Sequence, residues 1–256
     1  MDLNNSIIFG GIDSANYGIY VAGNAVFNSP ERDVTMIDVP GRNGQLTFDN
    51  GRFMNIEVTY NAFVTGDNSN DIADNIRGYR NAIGSLIGYQ RLEDTFHTDE
   101  YRQAIFRNGI EVEPTIYQTG GYFDITVDCK PQRWLTSGET EKTLQAVFTN
   151  PTLFDAKPLI RIKGHGDVTL LSSPSAYKSK ITFAPNATVE NAGYSRYYDC
   201  ELFEAYYIDS GGVIHSCNSD ITITFGTPAF WGNETIAIST DSGISDYGFT
   251  PRWWRI

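Results

Sequence analysis

Alternation of apolar and polar side chains dominates this chain. In MNIEVTYNA, the apolar residues Met54, Ile56, Val58 and Tyr60 are separated by Asn55, Glu57, Thr59 and Asn61. In YFDITVDCK the apolar set is Phe123, Ile125, Val127 and Cys129, interleaved with Asp124, Thr126 and Asp128. A period of two sends successive side chains to opposite faces of a strand, so both segments read as strands with one buried and one wet face. LIRIKGHG, ITITF and TIAIS repeat the habit in the second half. One segment departs from it. Across NDIADNIRGYRNAIGSLIG the apolar positions Ile72, Ile76, Tyr79, Ile83 and Leu86 are spaced by fours and threes, which predicts a single amphipathic helix. Ser69 or Asn70 is placed to cap it, with Asp71 and Asp74 at the positive end of its dipole and Arg77 and Arg80 further along. Gly78 and Gly84 are poor helix formers, so packing has to hold the helix.

The glycine-rich stretch VPGRNGQLTFDNGRF, residues 39–53, has two readings. A phosphate-cradling loop needs its glycines between a strand and a helix, where backbone N–H groups converge on the anion. Here Asn43-Gly44 runs into QLTF, in which Leu46 and Phe48 alternate, and no helix follows. Asn-Gly between alternating segments favours positive φ at both central residues and predicts a hairpin turn, with Asn50-Gly51 offering a second one. The predicted fold is all-β with one helix, in two domains, 1–137 and 138–256, divided near the polar run PQRWLTSGETEK. No period of 20–50 residues is visible, which argues against a solenoid or propeller.

Composition adds limits. A chain of 256 residues buries roughly 70–75% of its unfolded surface and needs no disulfide staples. Cys129, Cys200 and Cys217 form an odd set without framework spacing, expected as reduced, buried thiols. The net charge of −12 opposes tight nucleic-acid binding by counterion release and attachment to an anionic membrane. The first residues, MDLNNSIIFGGIDSANYG, lack a basic segment followed by an apolar run, so no secretory signal is expected.

Candidate chemistry is sparse. DNSND, residues 67–71, has the spaced oxygens of a calcium loop, but Ile72 stands where glycine is needed and Gly78 where a bidentate Glu should be. His215 and Cys217 share a face of a strand without a usual zinc spacing around them. GxSxG is absent, no carboxylate pair stands out, and His97 in FHTDEY reads as a hairpin tip. No catalytic residue, metal ligand or cofactor is assigned, and the chain is expected not to be an enzyme. Trp231-Gly232-x-Glu234 looks like the sugar-binding strand of galectins, where the Trp stacks on a sugar ring and the Glu takes its hydroxyls. The accompanying His, Asn and Arg set is missing. Trp231 and Glu234 therefore carry only an alternative reading, a carbohydrate-binding module acting in host adsorption.

Several stretches, in order, resemble the distal tail protein family of long-tailed bacteriophages. They are VPGRNGQL followed by DNGRF and an alternating strand, the helix, GYQRLEDTFHTDEYRQA, GGYFDITVDCKPQRWLTSGE, NPTLFDAKPLIRIKGHGDVTL and the final PRWWRI. The resemblance implies an N-terminal β-sandwich with a helix and a belt hairpin, and a C-terminal galectin-like β-sandwich. It implies a structural virion protein, made in the host bacterial cytoplasm and placed at the tail tip or baseplate. It further implies a hexameric ring joined to the tail tube protein and to the tail-associated hub or lysin protein, with receptor-binding proteins at its periphery. DNA would pass through the lumen without specific binding, and the acidic balance suits carboxylates that repel it. Two surfaces are expected at the ring joints. One is the turn at Arg42 and Asn43; the other is the mixed-sign hairpin carrying Arg91, Glu93, Asp94, Asp99, Glu100 and Arg102.

Overall fold

The computed structural model describes residues 5–22, 28–114 and 120–256. The chain divides into two compact units, the first running to Arg133 and including Ile256, the second spanning Trp134–Arg255. The division falls within one long strand.

The first unit contains β1 (Ile7–Phe9), β2 (Ile12–Asp13), β3 (Ile19–Val21), β4 (Arg32–Asp38), β5 (Gln45–Phe53) and β6 (Ile56–Thr65). Helix α1 (Ser69–Gly84) follows, then β7 (Gln90–Asp94), β8 (Glu100–Ile105), β9 (Glu113–Pro114) and β10 (Gly120–Leu135). The two alternating segments pair with each other: β6 and β10 run antiparallel from Thr65↔Gly120 to Ile56↔Cys129. That register puts Val58, Tyr60, Ala62 and Val64 beside Phe123, Ile125, Val127 and Cys129 on one buried face. The sheet runs β2-β1-β7-β8-β10-β6-β3, and its two ends share a single core. It therefore has to curl, and Val21 N donates to Asn5 O at 2.9 Å where the ends approach.

Helix α1 lays Ile72, Tyr79 and Ile83 on that core, as its spacing predicts. Its cap is Asn68, not Ser69 or Asn70. Asn68 is still extended (φ −155°, ψ 174°), so its side-chain oxygen reaches back to the N–H groups of Asn70 and Asp71 at 2.9 and 3.2 Å. Gly78 is explained by packing, because a side chain there would come within 3.1 Å of the Tyr17 ring.

The second unit contains β11 (Lys142–Thr143), β12 (Val147–Thr149), β13 (Leu159–Gly164), β14 (Gly166–Ser173) and β15 (Lys178–Phe183). A five-residue helix, α2 (Ala187–Asn191), was not foreseen, since one turn is too short to carry a periodic stripe. Then come β16 (Arg196–Asp199), β17 (Glu204–Ile208), β18 (Ile214–Ser216), β19 (Ile221–Thr224), β20 (Thr235–Thr240), β21 (Ile244–Thr250) and β22 (Trp254–Arg255). Strands β11–β21 form a six-stranded sheet, β11-β21-β13-β16-β17-β18, and a five-stranded sheet, β12-β20-β14-β15-β19, while β22 pairs with β10. Ile160, Ile162, Tyr198 and Phe249 of the first meet Val168, Leu170, Ile181, Phe183 and Ile236 of the second in one core, which makes a β-sandwich. Phe148 packs on Phe230 and Phe249 with ring centroids 4.8 and 4.4 Å away. Each such buried side chain contributes about 1.5–3 kcal/mol. The three cysteines are free and buried, and burial pushes the Cys129 thiol up to about 12, which leaves it inert near neutral pH.

Candidate functional site: a free-standing arm

Among the described residues β4 and β5 pair only with each other, forming a two-stranded sheet apart from the three larger sheets. Along the two strands every residue except Asp33 and Phe53 is exposed, and none belongs to the core of the unit. At a rise of about 3.4 Å per residue the paired strands extend roughly 20 Å. A lone hairpin is marginal in water, so side-chain pairs have to support this one. Arg32 Nε donates to Asp49 at 2.7 Å, Arg52 Nε to Asp33 at 2.7 Å, and Gln45 Nε2 to Asp38 at 2.9 Å. At the base, Met54 N donates to Glu31 O at 2.8 Å.

The hairpin prediction for residues 39–53 holds, but its turn differs. The chain reverses over the six residues Val39–Gly44, with Gly41 and Gly44 at positive φ, whereas Asn43 is not in the left-handed region. The second Asn-Gly is not a turn. Gly51 (φ 72°) sits inside β5 where the register shifts between Arg32 and Val34, and it absorbs the extra residues of the longer strand as a bulge.

Register also sorts the arm's faces. Thr35 pairs with Phe48 and Ile37 with Leu46, so these four share one face; Val34, Met36, Asp38, Gln45, Thr47 and Asp49 occupy the other. Phe48 is 63% exposed, Ile37 49% and Leu46 41%. An apolar strip thus runs along one side of a projecting arm. Sequence reasoning picked Arg42 and Asn43, which lie exposed in the arm's end loop, and missed the strip behind them. The alternation of Thr35, Ile37, Leu46 and Phe48 was the available signal.

The second candidate surface is mostly turned inward, which corrects the expectation of an open mixed-sign hairpin. Glu100 and Arg102 alternate with half-buried neighbours on β8 and are only 5% and 6% exposed. Glu100 accepts from Arg133 Nη1 at 2.6 Å. Arg102 Nη2 reaches Asn28 Oδ1 at 3.3 Å, while its Nη1 is buried without a hydrogen-bond partner among the described residues. Burial, and then the neighbouring Arg133 charge, lower the affinity of Arg102 for its proton. Asp94 organises the β7–β8 turn, accepting from Tyr60 Oη (2.9 Å), Phe96 N (3.0 Å) and His97 N (2.8 Å). His97 is in that turn as predicted, its Nδ1 2.9 Å from Asp94. Arg91 and Glu93 pair at 2.6 Å and stay about one-third exposed, with Arg91 stacked 3.8 Å over Tyr101. Asp99 is exposed.

The two sugar-contact candidates lie in the turn before β20, not on a strand. The Trp231 ring packs against Tyr177 with centroids 4.6 Å apart, and Glu234 accepts from Ser175 Oγ at 2.6 Å. The stacking face and the carboxylate that a sugar would need are both engaged inside the unit. Among the described residues no group of His, Cys, Asp and Glu is arranged to hold a metal ion, and no helix is long and apolar enough to cross a membrane.

The structure thus defines a protein of two β units, the first carrying an isolated amphipathic arm. No protein-family model matches the chain. No curated protein matches it either. Among solved structures it is similar to the Dit protein of phage SPP1, described as a paradigm of the hub adsorption apparatus of phages that infect Gram-positive bacteria. That match has a TM-score of 0.71 at 13% identity and covers 98% of this chain and 99% of the other. It is also similar to a chain of the phage p2 baseplate in its activated conformation, solved with strontium (TM-score 0.53, 10% identity) and with calcium (TM-score 0.53, 9% identity), covering 96% of each chain in both cases. The fold is therefore that of the SPP1 hub protein from end to end.

Proposed function

We propose that this chain is a non-enzymatic structural hub of a phage tail, in which six copies close into a ring that joins the tail tube to the tail tip. The observation that carries this reading is the arm. A 20 Å hairpin whose apolar face is left in water is a poor feature for a monomer and a good joint for a closed ring, where each copy covers its neighbour's strip. The end-to-end likeness in fold to the SPP1 hub protein supports the same role. The tail tube protein, the tail-associated hub or lysin protein and receptor-binding proteins are the expected partners, in the virion.

The face of β6 and β10 turned away from the core suits the wall of a channel for DNA. Glu57, Thr59, Asn61, Asp124, Thr126 and Asp128 line it in register. Asp128 pairs with Arg107 at 3.1 Å, while Glu57 and Asp124 stay exposed and negative. Such a surface lets a polyanion slide past without sticking.

Native mass spectrometry across a concentration series, with negative-stain images, tests the proposal. Six-copy rings with an open centre are expected. A chain that stays monomeric both alone and with tail tube protein present would overturn it.

A further inference from the structure

Away from the arm, the second unit exposes apolar side chains at several places, among them the β17–β18 turn (Val213, Ile214), and two of these places match one another. The first is the four-residue turn between β16 and β17. Asp199, the last residue of β16, accepts the N–H groups of Glu201 (2.9 Å) and Leu202 (3.1 Å). Its carboxylate also takes both ends of the Arg252 guanidinium, at 2.9 and 2.7 Å. The turn is braced from behind, yet its tip presents Leu202 (64% exposed) and Phe203 (58% exposed) to water. Phe203 sits in the left-handed region (φ 56°), an unfavourable backbone for a bulky side chain and one kept only where the surroundings fix it. Glu201 and Glu204 flank the tip, both exposed.

The second place is the outer face of the five-stranded sheet. Register aligns Val147 with Ala237, Ala237 with Leu171, and Leu171 with Lys178. The Lys178 ammonium lies 5.0 Å over the ring of Phe225, just past the end of β19. Val147 is 58% exposed, Leu171 44% and Phe225 66%. An apolar stripe therefore crosses the sheet and carries the Lys178 ammonium, which has no carboxylate partner among the described residues, whereas the neighbouring Lys180 is paired with Asp167. The residues alternating with the stripe, such as Leu170 and Ile236, face the core. The stripe looks away from the six-stranded sheet, so the tip on that sheet cannot fold back onto it.

We propose that tip and stripe are the two halves of a joint between copies of this chain. Leu202 and Phe203 of one copy seat on Val147, Leu171 and Phe225 of the next, with Glu201 and Glu204 against Lys178. The halves match in polarity and are opposite in charge. The contact is head-to-tail, so it repeats around a ring or propagates along a row, depending on the rotation between copies. It is separate from the arm and does not rest on the arm's role.

The test uses the full chain with the photo-crosslinker benzoylphenylalanine in place of Phe203, irradiated over a concentration series, with cross-linked peptides mapped by mass spectrometry. Links between copies are expected at the peptides holding Val147, Leu171 or Phe225. Glu204→Lys and Lys178→Glu should each lower the yield at least fivefold, and the two together should restore it to within twofold, with unchanged thermal unfolding in every case. Links that map elsewhere, links only to a different virion protein, or yields indifferent to charge reversal would overturn the joint. Repeating the measurement with Phe48→Ser separates the two contacts. Rings lost while the 203–stripe links persist would be expected if both joints are real, whereas rings that form without those links would count against this joint alone.

Discussion

Ile37 faces Leu46 across the arm, and both side chains stay about half exposed on the same face as Phe48. A monomeric protein avoids such strips because an exposed, apolar, two-stranded edge invites pairing with any other chain. Here charged residues confine the hazard. Arg32 with Asp49, Arg52 with Asp33 and Gln45 with Asp38 tie the two strands together, Asp38 and Asp49 on the face opposite the strip, so the arm stays extended while its apolar side remains open. The arrangement favours one partner of matching shape over unspecific association.

Replacing the strip should therefore separate assembly from folding. Ile37→Ser combined with Phe48→Ser removes apolar side chains that stay about half or more exposed and lie outside the core. Surface changes of this kind alter stability by about 0.5 kcal/mol or less, a shift of roughly 2 °C in melting temperature. Ring formation by native mass spectrometry should be lost under conditions where the parent assembles. A variant that still forms rings would remove the arm from the joint.

Glu100 should behave in the opposite way. It is buried against Arg133 at 2.6 Å, so Glu100→Gln removes the negative charge that this buried guanidinium faces. Breaking one partner of a buried ion pair costs about 3–5 kcal/mol. Urea unfolding should show that loss in the monomer, with no selective effect on ring formation. Unchanged stability together with failed assembly would return Glu100 to the interface.

The brace behind the Leu202–Phe203 tip should be sensitive to acid. Burial alone would push the Asp199 carboxyl up, but the Arg252 hydrogen bond and the Leu202 and Glu201 N–H groups outweigh it and hold it below its ordinary range. A carboxylate whose proton affinity is lowered in the folded state stabilises the fold fully above its unfolded value of about 3.9, and that contribution disappears as pH falls through the folded value. Below about pH 4, Asp199→Asn should therefore flatten the dependence of stability on pH relative to the parent. Parallel acid limbs for the two proteins, measured by urea unfolding, would exclude Asp199 as a contributor.

How far the sequence revealed this molecule depends on whether a feature is local. Strands β6 and β10 and helix α1 were legible because each writes its period into consecutive residues. The arm was half legible. Asn43-Gly44 marked a reversal, but the same dipeptide at Asn50-Gly51 became a bulge because β5 is longer than the segment of β4 it pairs with. Glu100 and Arg102 misled for a plain reason. Charged residues alternating with Tyr101 and Gln103 suggest a wet face, and only the tertiary placement of Arg133 and Asn28 makes their face the buried one. Trp231 and Glu234 had the right spacing for a sugar contact, yet Tyr177 and Ser175, more than fifty residues earlier, occupy them. The apolar stripe on the five-stranded sheet needed the register of four strands and was not visible along the chain at all.

The acidic wall gives the last prediction. Glu57 lies directly across from Asp128 in the β6–β10 ladder, a like-charged pair that by itself weakens a sheet. Asn55 and Arg107 ease Asp128, donating or pairing at 3.0 and 3.1 Å, while Glu57 and Asp124 stay exposed. Retaining exposed carboxylates there is reasonable if the face borders a channel for DNA. Assembled parent rings should then retain no duplex DNA in filter binding at low salt. Glu57→Lys with Asp124→Lys turns the wall basic, and each new cation that meets a phosphate releases counterions. The variant rings should bind DNA at least tenfold more tightly, with log affinity falling against log salt by roughly 0.9 for each phosphate contact. The unassembled variant should gain much less, because one copy offers only two of these cations where a ring arrays them around a common axis. Tight DNA binding by the parent, or equal gains for ring and monomer, would place this face outside the channel.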